Sequence, residues 1–163
     1  MVIKESDIRK IQSLFAACMV GDLNGVITIL NAHWHDIDGN NKFAIDIDPK
    51  GYARRPIHAA TIGGHINIVK FLIENGADVN IQNRYGDTAL HFAVHHNRSF
   101  ILTELLKSKA DPTIKNHVFK TPIDIAEDQK KLNYVEEMKS YIQLEDEPQK
   151  ESVLKKLLDG KQP

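Results

Sequence analysis

Ala89-Leu90-His91-Phe92-Ala93 lies 33 residues after Pro56-Ile57-His58-Ala59-Ala60 and 33 residues before Pro122-Ile123-Asp124-Ile125-Ala126. A period this long makes the chain a stack of similar units, each too small to bury its own apolar face, rather than a fold closed around one pocket. The register holds beyond these blocks. Ile66, Ile68, Val69, Leu72 and Ile73 fall on Ser99, Ile101, Leu102, Leu105 and Leu106, and residues 75–80 fall on residues 108–113.

Physical demands explain the residue types that recur. Thr88 is suited to accept from free backbone N–H groups at a helix start, and Ala93 is small enough to let a neighbouring helix approach. Gly64 and Gly76 stand where two successive helices must end in a left-handed conformation. Asn97, the next best residue for positive φ, takes the first of these positions one period on, and Lys130 takes it in the fourth unit. A first unit is offset by 43 residues: Leu14, Ala16, Ala17, Gly21, Leu23, Val26 and Leu30 align with Ile57, Ala59, Ala60, Gly64, Ile66, Val69 and Ile73. About ten extra residues therefore lie between units one and two, in their connection.

With Gly63-Gly64-His65 and Gly76-Ala77-Asp78-Val79-Asn80 in its strongest stretch, Arg55 to Asn80, the chain resembles the ankyrin repeat family. That resemblance implies an all-α repeat solenoid of four helix-turn-helix units joined by β-turn fingers. The predicted domain covers residues 1–144, with units at about 6–49, 50–82, 83–115 and 116–144 and an inserted finger within 32–55. The outer two units are expected to cap the stack with polar outer faces. Phe43, Ile45 and Ile47 alternate as in a β-hairpin within the insertion. Residues 145–163 read as an acidic linker, a short helix carrying Val153, Leu154, Leu157 and Leu158 at helical spacing and expected to dock on the last repeat, and a disordered end.

Composition narrows the function. A net charge of −1 gives no general attraction to nucleic acid or membrane, and no apolar run approaches the roughly 20 residues that span a bilayer. The polar start, Met1 to Lys10, is unlike a signal peptide. Cys18, the single cysteine, has no partner for an internal disulfide and suits a small buried position. A cytoplasmic monomer is expected. Lys outnumbers Arg sixteen to five and Ile is abundant, a bias that suits an AT-rich genome; an effector delivered by an intracellular bacterium into the host cytosol fits it.

Chemistry finds little support. His91 and His95 share a helix face as metal ligands do, but Phe92 stands where a zinc-protease glutamate would follow, and the resemblance makes His91 a structural histidine that bonds between turns and helices. The insertion carries His33-Trp34-His35-Asp36-Ile37-Asp38 with Asp46 and Asp48, residue types that suit several divalent ions. Its Asp36 to Ile47 run fails as a calcium loop, with Asn41 in place of Gly and Ile47 in place of the bidentate Glu. A solvated finger is the simpler reading, and a metal-dependent activity there the remote one. There is no nucleophile elbow, phosphate loop or paired-cysteine motif. No catalytic residue, cofactor or metal is expected, and the chain reads as a non-enzyme.

What remains is surface. The resemblance implies that a partner protein binds the concave face formed by fingers and first helices. The matching positions are Met19 and Val20 in the first unit, Tyr52 and Arg54 in the second, Arg84, Tyr85, Asp87, His95 and His96 in the third, and His117, Val118 and Lys120 in the fourth, with Trp34 a further anchor from the insertion. Their excess of Arg, Lys and His points to an acidic patch on the partner. The expected function is an adaptor or regulator; the alternative is a stoichiometric inhibitor of an enzyme or transcription factor. The family pattern also marks Asn80 as an asparagine-hydroxylation position, with Leu72 eight and Asp78 two residues before it; the same side chain suits a purely structural role in its loop.

Overall fold

The computed structural model describes residues 5–33 and 55–145. The expectations for Trp34, Tyr52, Arg54, the rest of the inserted finger and the 146–163 tail lie outside the described residues. Among the described residues eight helices form four antiparallel pairs: α1 (Glu5–Val20) with α2 (Leu23–His33), α3 (Pro56–Gly63) with α4 (Ile66–Glu74), α5 (Ala89–His95) with α6 (Ser99–Lys107), and α7 (Pro122–Asp128) with α8 (Leu132–Glu145). First helices pack in the series α1, α3, α5, α7, and second helices in the parallel series α2, α4, α6, α8. The two layers enclose one continuous core. No strand occurs among the described residues.

Helices of seven to nine residues, as α3 to α7 are, would be marginal alone, so burial against neighbours must hold them. Ile68, Val69 and Leu72 of α4 are buried, and so are Ile101, Leu102 and Leu105 of α6, one period later. Ala59, Ala60, Ala93 and Ala126 are fully buried where first helices meet, which is the close approach their small side chains permit. The expected match between Ala16 and Ala59 fails in one respect: Ala16 is exposed. No helix precedes α1 among the described residues, so none of them packs on the outward side of the first unit.

The turn inside each pair is the same device four times. Gly21, Gly64, Asn97 and Lys130 have φ of 88°, 87°, 57° and 57°. The residue after each returns its N–H to an alanine carbonyl five positions back: Asp22 to Ala17, His65 to Ala60, Arg98 to Ala93 and Lys131 to Ala126, at 2.8–3.0 Å. This closes orphan carbonyls at the helix end. Lys130 thus keeps the geometry of the glycine it replaces. After the second helices, Gly76 and Lys109 are likewise left-handed, with φ of 88° and 65°.

Candidate functional site

Two fingers are described, residues 82–88 between α4 and α5 and residues 115–121 between α6 and α7. An asparagine shapes each turn. Asn83 Oδ1 accepts from the Tyr85 and Asp87 amides, both at 2.8 Å, and Asn116 Oδ1 accepts from Val118 and Lys120 at 3.1 and 3.0 Å. The fingers are also joined to each other: His117 N donates to Tyr85 O at 2.9 Å, and Asn116 Nδ2 donates to Asp87 Oδ1 at 2.9 Å. Their tips are therefore held at fixed spacing.

Histidine fixes finger to helix. His58 Nδ1 accepts from the Arg55 amide while Nε2 meets Ile81 O, and His91 Nδ1 accepts from the Thr88 amide while Nε2 meets Lys120 O, each at 3.0–3.1 Å. Each ring thus ties its own helix start to the next finger. Because Nδ1 accepts, the donor at Nε2 defines the neutral tautomer, and burial lowers the pKa of His91, favouring that neutral form. With both ring nitrogens engaged, His91 has no lone pair to offer a metal beside His95. Asp124 replaces this histidine in the fourth unit. Its Oδ2 still accepts from the Thr121 amide at 2.8 Å, and Thr121 Oγ1 accepts from Asp124 N at 3.1 Å as expected of a helix-start threonine. The third unit has the same arrangement: Thr88 Oγ1 lies 2.9 Å from His91 Nδ1, as Thr121 Oγ1 lies 2.8 Å from Asp124 Oδ2, and both helix starts carry a capping box.

A second ladder went unread in the sequence. His65, Arg98 and Lys131 are spaced by 33, and each reaches back to a carbonyl at the end of the preceding first helix: His65 Nε2 to Met19 O at 3.0 Å, Arg98 Nη2 to Ile62 O at 2.6 Å, and Lys131 Nζ to Val94 O. Cationic or N–H groups at a helix C-terminus meet its partial negative charge. Only the period of these polar residues signalled the role.

Against this scaffold the predicted binding residues divide. Val20 and Val118 are each 71% exposed, and Arg84, Tyr85, His95, His96 and His117 are also exposed. The Arg84 guanidinium lies 4.8 Å over the Tyr85 ring and donates to its hydroxyl at 2.6 Å, so the two form one amphipathic unit. His96 stacks on Phe92 with ring centres 6.4 Å apart, and His95 Nδ1 lies 3.1 Å from Gln129 Nε2 of the next unit. The remainder have structural work. Met19 is half-buried against the core, Asp87 carries the finger-to-finger bond, and the Lys120 ammonium pairs with Asp128, which raises its pKa. The basic character expected of the face thus rests on Arg84 more than on Lys120. Asn80 is also occupied: its amide donates to Lys109 O at 3.3 Å and accepts from the Asp111 amide at 2.8 Å, bridging two units. Sequence reasoning passed over Phe119, 80% exposed beside Val118 at the tip of the last finger.

Among the described residues no group of three or more His, Cys, Asp or Glu side chains could hold a metal ion, and no helix is long and apolar enough to cross a membrane. Cys18 is buried, which pushes its thiol pKa up to about 12.

Comparison with known proteins agrees with this architecture. A family model described as ankyrin repeats, in three copies, matches residues 14–116. Similar proteins include a probable E3 ubiquitin-protein ligase of Oryza sativa, 40% identical over 63 residues that cover 39% of this chain and 12% of the ligase. Protein phosphatase 1 regulatory subunit 12A of Mus musculus is 35% identical over 82 residues, covering 50% of this chain and 8% of that protein. An ankyrin repeat-containing protein of Schizosaccharomyces pombe is 38% identical over 71 residues, covering 43% and 32%. The chain therefore matches only a minor part of each of these relatives.

Proposed function

This chain belongs to the ankyrin repeat family, whose repeats are protein-interaction modules, and on that premise we propose that it is a non-enzymatic adaptor or regulator that engages a partner protein through its fingers and first helices. What carries the reading is the division of labour on that face. Asn83 and Asn116, which shape the fingers, are buried, and Asn116 bonds to Asp87 of the other finger, whereas Arg84, Tyr85, His117, Val118 and Phe119 project from the finger tips at fixed spacing. A rigid platform presenting aromatic, Arg and apolar groups binds at little ordering cost. The partner's matching surface is apolar with an acidic rim, so that Arg84 speeds association by charge. One relative bears the name of a regulatory subunit of a phosphatase, which accords with a regulator; action in the cytoplasm belongs to the same proposal.

Quantitative affinity capture from cytosolic lysate tests it, comparing the native chain with the variant Arg84→Ala, Tyr85→Ala, His95→Ala and with Phe100→Ala at the start of α6 as a control. A protein retained by the native chain and the control, and reduced at least about tenfold by the triple variant (~1.4 kcal/mol), is the expected result. Equal retention by all three would remove this face from the proposal.

A further inference from the structure

A groove of about 400 Å³ runs between the second helices α6 and α8, lined by Thr103, Leu106 and Lys107 on one wall and Glu137, Ser140 and Tyr141 on the other. The positions i, i+3 and i+4 on each wall show that it follows both helices lengthwise. Leu106 belongs to the core, Tyr141 packs against it half-buried, and the Thr103 hydroxyl donates to Glu137 across the two helices. The groove therefore offers an apolar strip with few polar groups in need of partners.

The exposed surface where Lys139 of α8 reaches the end of α7 is different. Lys139 pairs with Glu127 at 2.8 Å, and Glu127, Asp128 and Gln129 are exposed. These polar groups are already suited to water, so a terminal segment is not needed to cover them. If the tail has an apolar stripe to bury, the α6–α8 groove is the place adjacent to it.

We propose that the segment 150–159 of this same chain seats Val153, Leu154, Leu157 and Leu158 in the α6–α8 groove. Three observations select this occupant. These four residues share one side of a helical register while Lys155 and Lys156 fall on the other, so an apolar stripe is matched to an apolar groove. Tyr141 in the groove wall lies one turn before the end of α8 at Glu145, and residues 146–152 follow it. Seven residues reach up to ~25 Å when extended, several times the ~6 Å of helix they must retrace. A short tether also gives the segment an effective concentration in the ~mM range, above what a second copy or a dilute partner reaches.

Disulfide trapping tests the placement in the full chain. Ser140→Cys in the groove is combined with Leu157→Cys in the tail, and a control combines Leu157→Cys with Lys139→Cys, whose native side chain points to Glu127. Cys18 is buried with its thiol pKa near 12 and stays unreactive. Under mild oxidation at micromolar protein, the groove pair should close within one molecule roughly tenfold faster than the control pair. Equal rates would mean the segment does not favour the groove and would overturn the proposal. A crosslinked dimer from the groove pair would overturn it also, assigning the groove to a second copy.

Discussion

Gly86 and Phe119 occupy the same place in successive fingers, and both have positive φ, 79° and 60°. A Cβ on Gly86 would lie 2.7 Å from His117 N and 2.9 Å from Asn116 Cα, atoms of the finger that follows. Glycine is thus needed there twice, for its conformation and for close approach. Phe119 has no following finger among the described residues, so its side chain meets solvent and only the backbone strain remains. A left-handed non-glycine residue costs about 1–2 kcal/mol, and glycine returns part of that through greater freedom when unfolded. Phe119→Gly should therefore stabilise the fold by ~0.5–1 kcal/mol, a rise in Tm of about 1–4 °C, whereas Gly86→Ala should cost ~2 kcal/mol or more. Thermal unfolding of the two variants checks this. An unchanged or lower Tm for Phe119→Gly would show that the exposed ring stabilises the native chain after all.

At the scale of elements, what holds one unit to the next is a set of polar side chains repeated every 33 residues. Arg98 is the most fully used of them: Nε and Nη2 both donate to Ile62 O, at 3.2 and 2.6 Å, and the guanidinium lies over Gly64, where an added Cβ would stand 2.8 Å away. Arg98→Ala would leave the α3 carbonyl without its charged donor and open a gap over the glycine. Hydrogen bonds to charged groups contribute roughly 1.5–3 kcal/mol, and partial access of water at this half-buried site lowers the expected loss to about 1–2 kcal/mol. Denaturant titration should show that loss, with Arg98→Lys recovering only part of it because Lys supplies no fork of donors. These contacts also show what the sequence could reveal. Helix positions and left-handed turns were legible because each follows from a local demand on residue type. The His65, Arg98 and Lys131 ladder was not, because a polar residue beside a turn has many uses and only its distant acceptor decides among them. Asp124 stands in the register of His58 and His91 and retains the local bond to Thr121. The exposed residues of the candidate face were legible as positions, but which of them serve the scaffold, as Asp87 and Lys120 do, depends on neighbours brought close by the stack. Phe119 escaped notice because its exposure depends on what the stack places beside it.

Considered as a whole, the molecule has no centre. Its principal helix contacts are within a unit or between neighbours, so stability is close to a sum of unit and interface contributions. Where a defect lies should then matter as much as its size. Leu102 in α6 and Met138 in α8 are both fully buried, and truncating either to Ala removes similar apolar volume, at a cost of about 2–5 kcal/mol. Leu102 sits in a unit with neighbours on both sides. Its loss weakens α6 and the interfaces of α6 with α4 and with α8, so hydrogen exchange should quicken in all three. Met138 sits in the last described pair, whose principal helical neighbours among the described residues are α5 and α6. Met138→Ala should let α7 and α8 open while α3 and α4 keep their native protection. Hydrogen exchange read by peptide for each variant separates the cases. Uniform loss of protection from α1 to α8 in Met138→Ala would mean that coupling between units exceeds the stability of any one of them, and that the stack unfolds as a single body. Graded loss would give a partner-binding platform whose last finger, with Val118 and Phe119, can loosen while the central units remain folded.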